Sequence, residues 1–238
     1  MKIRANEIDF REVVNSWYPE NKRDLPWRDS RDPYRIWLSE IILQQTRVEQ
    51  GLPYYLRFIA SFPTVFDLAK ASEHQVLKLW QGLGYYSRAR NLHHTAKEVA
   101  YQMKGVFPKS YRELLKLKGV GEYTASAIAS ICYNEPVAVV DGNVYRVLSR
   151  YFGLDIPINS TQGVRYFKDL AAQVMDTRHP GDYNQAVMEF GALQCKPQLP
   201  LCANCDLQVN CIAFQLQKGE KLPVKLKKNK LKRRYFNY

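Results

Sequence analysis

Residues 114–127 read Leu-Leu-Lys-Leu-Lys-Gly-Val-Gly-Glu-Tyr-Thr-Ala-Ser-Ala. An apolar helix ends near Lys116, Gly119-Val120-Gly121 turns tightly, and a second helix of small residues begins. Glycine permits the turn and lets another backbone come close. Amides at the start of the second helix point outward and can bind an anion. A phosphate of nucleic acid fits such a nest, and its contact reads no base. Helix-turn-helix packing alone accounts for a Gly-x-Gly equally well, so the stretch has to be read with its surroundings.

Those surroundings are helical. Asp32-Pro33 reads as an N-cap with proline at the first helical position, ahead of an amphipathic run from Tyr34 to Gln45. Ser72-Glu73-His74-Gln75 and Ser110-Tyr111-Arg112-Glu113 fit the capping box, in which two orphan backbone donors are satisfied reciprocally. Further helices are expected over 6–18, 52–60, 85–102, 122–133, 143–152, 161–176 and 183–194. The one strand-like run, Val137 to Val140, is too short to build a sheet and ends at the turn signal Asp141-Gly142. The expected fold class is all-α.

A chain of 238 residues fits one large domain or two small ones, and 46% hydrophobic with 24% charged residues is a globular composition. The opening MKIRANEIDF is too charged for a signal peptide. No run approaches the ~18 apolar residues of a membrane helix, so a soluble intracellular protein without a membrane partner is expected. The net charge is +12, but residues 218–234 hold nine of the 35 basic residues against one acid, Glu220. The body is only mildly basic, and charge alone supports nucleic-acid binding weakly. The segment from Lys218, with Pro223 and scattered lysines, reads as an exposed linker.

Four of the five cysteines, Cys195, Cys202, Cys205 and Cys211, follow the spacing Cys-x6-Cys-x2-Cys-x5-Cys, while Cys132 stands apart in an apolar helix pattern. That distribution is not a disulfide framework. Four thiolates can cage a zinc ion or an iron–sulfur cluster. Zinc cages of four cysteines usually bring two Cys-x2-Cys pairs, and only Cys202 and Cys205 form one here. The long loops wrap a larger object more easily, which favours iron–sulfur and leaves zinc open.

Two carboxylates stand out. Glu40 has Ile36, Trp37 and Leu43 as its helical neighbours, so it lies among large apolar side chains. Such surroundings raise a carboxyl pKa and suit a general acid near neutral pH. The plain alternative is an edge-of-core glutamate paired to Arg28 or Arg35. Asp141 follows four small apolar residues at a helix start, where it can be an N-cap, a catalytic carboxylate, or both.

Several stretches together carry a resemblance: Leu25-Pro26-Trp27-Arg28, Trp37-Leu38-Ser39-Glu40, Gln44-Gln45-Thr46, the run Gly82-Leu83-Gly84-Tyr85-Tyr86-Ser87-Arg88-Ala89-Arg90-Asn91-Leu92, the glycine hairpin, Val140-Asp141-Gly142-Asn143-Val144 and the four-cysteine spacing. The chain resembles the adenine DNA glycosylases of the MutY type, within the helix-hairpin-helix and endonuclease III superfamily, over about residues 8–225. The resemblance implies two helical lobes with DNA in the groove between them. A six-helix module with the hairpin would span 25–135. A second module, 1–24 with 136–215, would end in a 4Fe–4S cluster on Cys195, Cys202, Cys205 and Cys211, and 216–238 would be a basic linker or tail.

It also implies the chemistry. The partner is double-stranded DNA bearing adenine mispaired with 8-oxoguanine or guanine, bound by a monomer. The setting is a bacterial-type cytoplasm, associated with the nucleoid. Breaking the base–sugar bond requires a proton on the leaving base and stabilisation of the developing sugar cation. Glu40 would protonate the adenine ring. Asp141 would stabilise the oxocarbenium-like sugar, with Asn143 in support and Tyr123 lining the site. Trp27, Arg28 and Met188 would form the adenine pocket, and Gln45 and Tyr85 would enter the base stack, which makes flipping less costly. Lys118, Gly119, Val120 and Gly121 would hold a phosphate; the family often has proline where Lys118 stands, and lysine adds a contact. The cluster loop offers Lys196 alone. Endonuclease III has a lysine at the position of Tyr123 that attacks the sugar, so tyrosine implies a monofunctional enzyme that leaves an abasic site. Tyr145, lysine in some adenine glycosylases, implies less covalent trapping. Full-length members continue into a β-rich domain that helps recognise oxidised guanine, so this chain is expected to retain adenine excision with a weaker preference for it. A mismatch thymine glycosylase of the same fold, a silent iron–sulfur DNA-binding module and a zinc adaptor are the alternatives.

Overall fold

The structure, a computed structural model, describes residues 5–227; the last part of the basic tail, 228–238, lies outside the described residues. The described chain is all-helical. Its helices are α1 (Ala5–Asn21), α2 (Pro33–Leu43), α3 (Val48–Ser61), α4 (Val65–Lys70), α5 (Glu73–Trp80), α6 (Ser87–Lys97, continued by a π turn over Glu98–Gln102), α7 (Tyr111–Leu114), α8 (Glu122–Tyr133), α9 (Gly142–Tyr151), α10 (Thr161–Val174), α11 (Pro180–Leu193) and α12 (Ile212–Gln215). Among the described residues there is no strand, and no helix is long and apolar enough to cross a membrane. Val137–Val140 is irregular, in keeping with a run too short for a sheet.

Local chemistry sets the helix starts. Asp32 accepts from the Tyr34 amide at 2.9 Å, with Pro33 at the first position of α2. Ser72 and Gln75 close the expected capping box on α5. At α7 the box is only half formed: Ser110 caps the Glu113 amide, but the Glu113 carboxylate takes the Ser110 hydroxyl instead of its backbone N–H. Helix α3 starts at Val48, earlier than expected, and carries Pro53 within it. Helix α6 starts two residues later than expected because Tyr85 is in the left-handed region, φ 47°.

Two hydrophobic cores result. One gathers residues from Leu25 to Val139, with Trp37, Phe58, Trp80, Leu92 and Ile128 at its centre. The other joins Phe10, Val14 and Trp17 of α1 to Val147, Phe167 and Phe190 of α9, α10 and α11. Met188 packs against both, which puts this face of α11 at the seam. Close approach there needs a residue without Cβ. A methyl at Gly191 would lie 2.6 Å from Asn143 Cβ. The expectation of an exposed linker from Lys218 is corrected as far as the described residues run. Leu222 is buried, the Ile158 amide donates to Val224 O at 3.0 Å, and Asn159 and Leu226 exchange two hydrogen bonds. The lysines face solvent, but an apolar leucine and backbone pairing dock the segment on the body.

Candidate active site

Glu40, Tyr123, Asp141 and Asn143 line one solvent-open cavity of about 210 Å³ at the seam. Glu40 comes from the last turn of α2, Tyr123 from the first turn of α8, and Asp141 from the N-cap of α9. Trp27, Arg28 and Met188 line the same cavity, so the seven residues expected to handle the base and sugar converge.

Glu40 shares the cavity wall with Ile36 and Leu43 of its own helix and with Ile131 and Met188. Its pKa is pushed up to about 7, first by burial; a hydrogen bond from Tyr123 opposes the shift and the nearby Asp141 adds to it. Neither arginine offered as its partner pairs with it. Arg28 donates to Glu189 at 2.6 and 2.8 Å, and Arg35 sits by Asp32 at 3.8 Å. Burial, helped by Glu40 and Asp141, keeps the Tyr123 phenol neutral, and its hydroxyl also lies 3.6 Å from the Met188 sulfur.

Asp141 is both cap and site residue. Its Oδ1 accepts from the Asn143 and Val144 amides at 2.9 and 2.8 Å, and its Oδ2 accepts from Asn143 Nδ2 at 2.7 Å. Burial raises its pKa against the pull of those donors and of Arg146. Arg146 in turn holds Asn143 Oδ1 at 2.8 Å and Cys195 O at 2.7 Å. The carboxylate is therefore fixed in orientation before any ligand arrives.

The hairpin lies outside the cavity. Lys118, Gly119 and Gly121 are exposed, whereas Val120 is buried as the peg of the turn. Gly119 has φ 79°, and a Cβ there would meet Asn91 Cβ at 2.7 Å, so both its conformation and its neighbour demand glycine. Thr95 Oγ1 donates to Lys118 O at 2.8 Å and anchors the turn to α6. Gly121 caps α8 without a side-chain hydrogen bond, so the first amides of α8 face outward. Gln45 and Tyr85 are exposed, both with positive φ. Leu43, Thr46 and Val48 line the cavity, so the loop bearing Gln45 forms its rim.

Cys195, Cys202, Cys205 and Cys211 line a second cavity of about 40 Å³, walled by Val147, Phe190 and Leu207. Among the described residues no three His, Cys, Asp or Glu side chains are grouped closely enough to hold a single metal ion. The four thiols face this one space. Arg150 braces this loop by donating to Lys196 O at 2.6 Å, Pro197 O at 3.1 Å and Leu222 O at 3.1 Å, and lies 3.4 Å from Cys195 Sγ.

Residues 38–171 match the HhH-GPD superfamily of base excision DNA repair proteins. The chain belongs to this family. It is 45% identical over 226 residues to the adenine DNA glycosylase of Mus musculus, covering 91% of this chain and 44% of the relative. It is 43% identical over 241 residues to that of Arabidopsis thaliana, covering 90% and 37%. The chain therefore spans less than half the length of these relatives. Among solved structures, a thermostable thymine-DNA glycosylase matches with TM-score 0.81 and 28% identity, covering 89% of this chain and 97% of that one.

Within this HhH-GPD protein the matched span holds Glu40, Gln45, Tyr85, the hairpin, Tyr123, Asp141 and Asn143, whereas Trp27, Arg28, Met188 and the four cysteines fall outside it. Sequence reasoning missed Glu189 and Arg23 on the cavity wall. Burial would raise the Glu189 pKa, but hydrogen bonds from Arg23 and Arg28 hold it at about 2. The missed signal was an acid inside the apolar run Val187-Met188-Glu189-Phe190, the same signature that marked Glu40.

Proposed function

We propose that this chain is a monofunctional DNA N-glycosylase that flips adenine, mispaired with guanine or 8-oxoguanine, out of the duplex and hydrolyses its bond to the sugar. The observation that carries the reading is the convergence of a protonatable Glu40 and an anchored Asp141 on one cavity. A carboxyl with pKa about 7 keeps its proton near neutrality and can deliver it to an adenine ring nitrogen. The glycosidic electron pair then leaves on the base, and the sugar carbon becomes cationic. Asp141, held by two amides and Asn143, presents its negative charge without reorganising. Water adds to the sugar carbon, its proton restores Glu40, and an abasic site remains. Tyr123 lies beside the Glu40 carboxyl and opposes the effect of burial on it. At Tyr123 a neutral phenol stands on the cavity wall, and among the described residues no lysine lines it, which supports hydrolysis without a Schiff-base step.

DNA is held from outside the cavity. The hairpin amides and Lys118 take a backbone phosphate, and Gln45 and Tyr85 fill the stack vacated by the flipped base. The protein acts as a monomer. Cys195, Cys202, Cys205 and Cys211 would hold a 4Fe–4S cluster, whose four thiolate bonds would fix the fold of the loop. Four soft donors facing one small cavity, with only one Cys-x2-Cys pair among them, support that group over zinc.

The likeness to a thymine-DNA glycosylase supplies a second reading, in which the same fold removes mispaired thymine. The reading is tested by incubating the purified protein with A·G, A·8-oxoguanine and T·G duplexes, with and without alkali. Adenine release with strand breaks only after alkali is expected. Release from T·G alone overturns the adenine reading, and breaks without alkali overturn monofunctional chemistry. Absorbance of the purified protein near the blue end of the spectrum identifies iron–sulfur, and a colourless protein identifies zinc.

A further inference from the structure

We propose that Arg88 is a positioning residue that locks the loops carrying Gln45 and Tyr85 into a single wedge. Gln45 follows α2 and Tyr85 precedes α6, so nothing local in the chain relates them. Both are exposed, Tyr85 to 66%, and both adopt the left-handed region, with φ 55° and 47°. Side chains with a Cβ avoid that region unless something outside the residue enforces it. In both loops the enforcing group is the same guanidinium.

Arg88 Nη1 donates to Ile41 O and Ile42 O, both at 3.1 Å, and to Gln44 O, the carbonyl immediately before Gln45. Its Nη2 reaches Leu83 O at 3.4 Å and Gly84 O at 3.5 Å, the carbonyl immediately before Tyr85. The guanidinium lies between the rings of Trp80 and Tyr85, 5.1 and 5.7 Å from their centroids, and Trp80 Nε1 also donates to Gly84 O at 2.9 Å. The two nitrogens belong to one rigid planar fork, so neither loop can shift without the other. The positive group also satisfies orphan carbonyls at the C-terminus of α2, the helix that carries Glu40. The clamp therefore relates the wedge to the cavity rim. Lysine carries the charge but offers a single nitrogen and cannot hold both loops.

The proposal rests on the glycosylase reading for its consequence, and its test separates the two. Arg88→Lys and Arg88→Gln are compared with the wild type in single-turnover excision from a duplex with one A·G mispair and from a single strand, where no stack has to be filled. Fluorescence of a 2-aminopurine placed at the target position reports unstacking on binding and needs no base release. Arg88→Lys is expected to slow excision from the duplex on the order of 100-fold, to abolish the fluorescence rise, and to change single-strand excision only a few-fold. It should still unfold cooperatively, at or below the wild-type temperature. Equal slowing on both substrates, or an unchanged fluorescence rise, overturns the proposal. Should the substitutions weaken folding, a double-mutant cycle with Tyr85→Ala decides: non-additive losses support a shared wedge and additive losses overturn it. A wild type that unstacks the base but releases none sinks the glycosylase reading alone.

Discussion

Glu40 and Asp141 carry like charges into one cavity, and their environments separate them. Burial without a cationic partner raises Glu40 to about 7, whereas Asp141 keeps three hydrogen-bond donors and Arg146 against its own burial. On the proposed chemistry the active form needs Glu40 protonated and Asp141 ionised, so single-turnover excision should be bell-shaped in pH. Its acidic limb should lie above the usual carboxylate range and its alkaline limb near 7; a rate flat from pH 6 to 9 would remove Glu40 as the acid. The same shift sets stability. A carboxyl raised on folding contributes fully below its unfolded pKa and loses that contribution as pH rises through the folded value. Glu40→Gln should therefore match wild-type stability in acid and exceed it above pH 7, by roughly 3 kcal/mol at most, as denaturant titrations at two pH values would read. Asp141→Asn differs in kind. Asparagine caps as well as aspartate, so unfolding should change by less than ~1 kcal/mol, while base release falls on the order of 1000-fold; unfolding experiments and quenched-flow assays measure the two. Both acids were legible from their apolar neighbours in sequence, Glu40 on a helical face and Asp141 after four small apolar residues at a helix start. Their partners were not. Arg28 is taken by Glu189, far along the chain, and local spacing carries no trace of that pairing.

At the scale of elements, legibility followed the strength of local signals. The Asp32-Pro33 and Ser72–Gln75 starts and the whole of α8 stand where the pattern puts them. Helix α4 went unread because it has six residues, too few to display a period, although Thr64 and Asp67 close a capping box with aspartate in the place usually held by glutamate. Helix α3 was begun too late because Pro53 reads as a start, yet Arg47 to Gly51 add a full turn before it. The cavity depends on how closely α9 and α11 approach, and that distance is set by Gly191 against Asn143. A methyl at 191 would meet Cβ at 2.6 Å and backbone at 3.1 Å, with no flexible chain end to yield. Gly191→Ala should cost about 1–3 kcal/mol by overpacking and lower excision further by moving the residue that orients Asp141. Gly142→Ala, at the start of the same α9 with nothing within 4 Å of the added atom, should unfold at or above the wild-type temperature. Thermal unfolding of the two variants side by side checks the contrast, and equal shifts would show that the contact at Gly191 does not govern the site.

The two cores differ in how the chain builds them. The first is drawn from the contiguous span Leu25 to Val139. The second is closed by α1 from one end of the described chain and by Leu207, Cys195, Cys205 and Cys211 from the other, around α9, α10 and α11. Its last segment has little regular structure: a single 3-10 turn at Cys202–Asn204 and the short α12. What orders that segment is Arg150, reaching the carbonyls of Lys196, Pro197 and Leu222, together with Gln194 reaching those of Leu201 and Asn204. Hydrogen bonds of this kind contribute about 1 kcal/mol each, which is modest against the entropy of ordering a loop of this length. A cluster bound through four thiolates would convert its binding free energy into folding free energy of the second core. Replacing Cys202 by serine should therefore remove the blue-end absorbance and loosen one part of the molecule selectively. Amide exchange should accelerate over α1, α9, α11 and residues 195–222, while α2, α6 and α8 keep their protection. Loss of protection spread evenly over both cores would mean that they unfold as one cooperative unit. Unchanged exchange in the second core would mean that its apolar contacts suffice without any group on the cysteines.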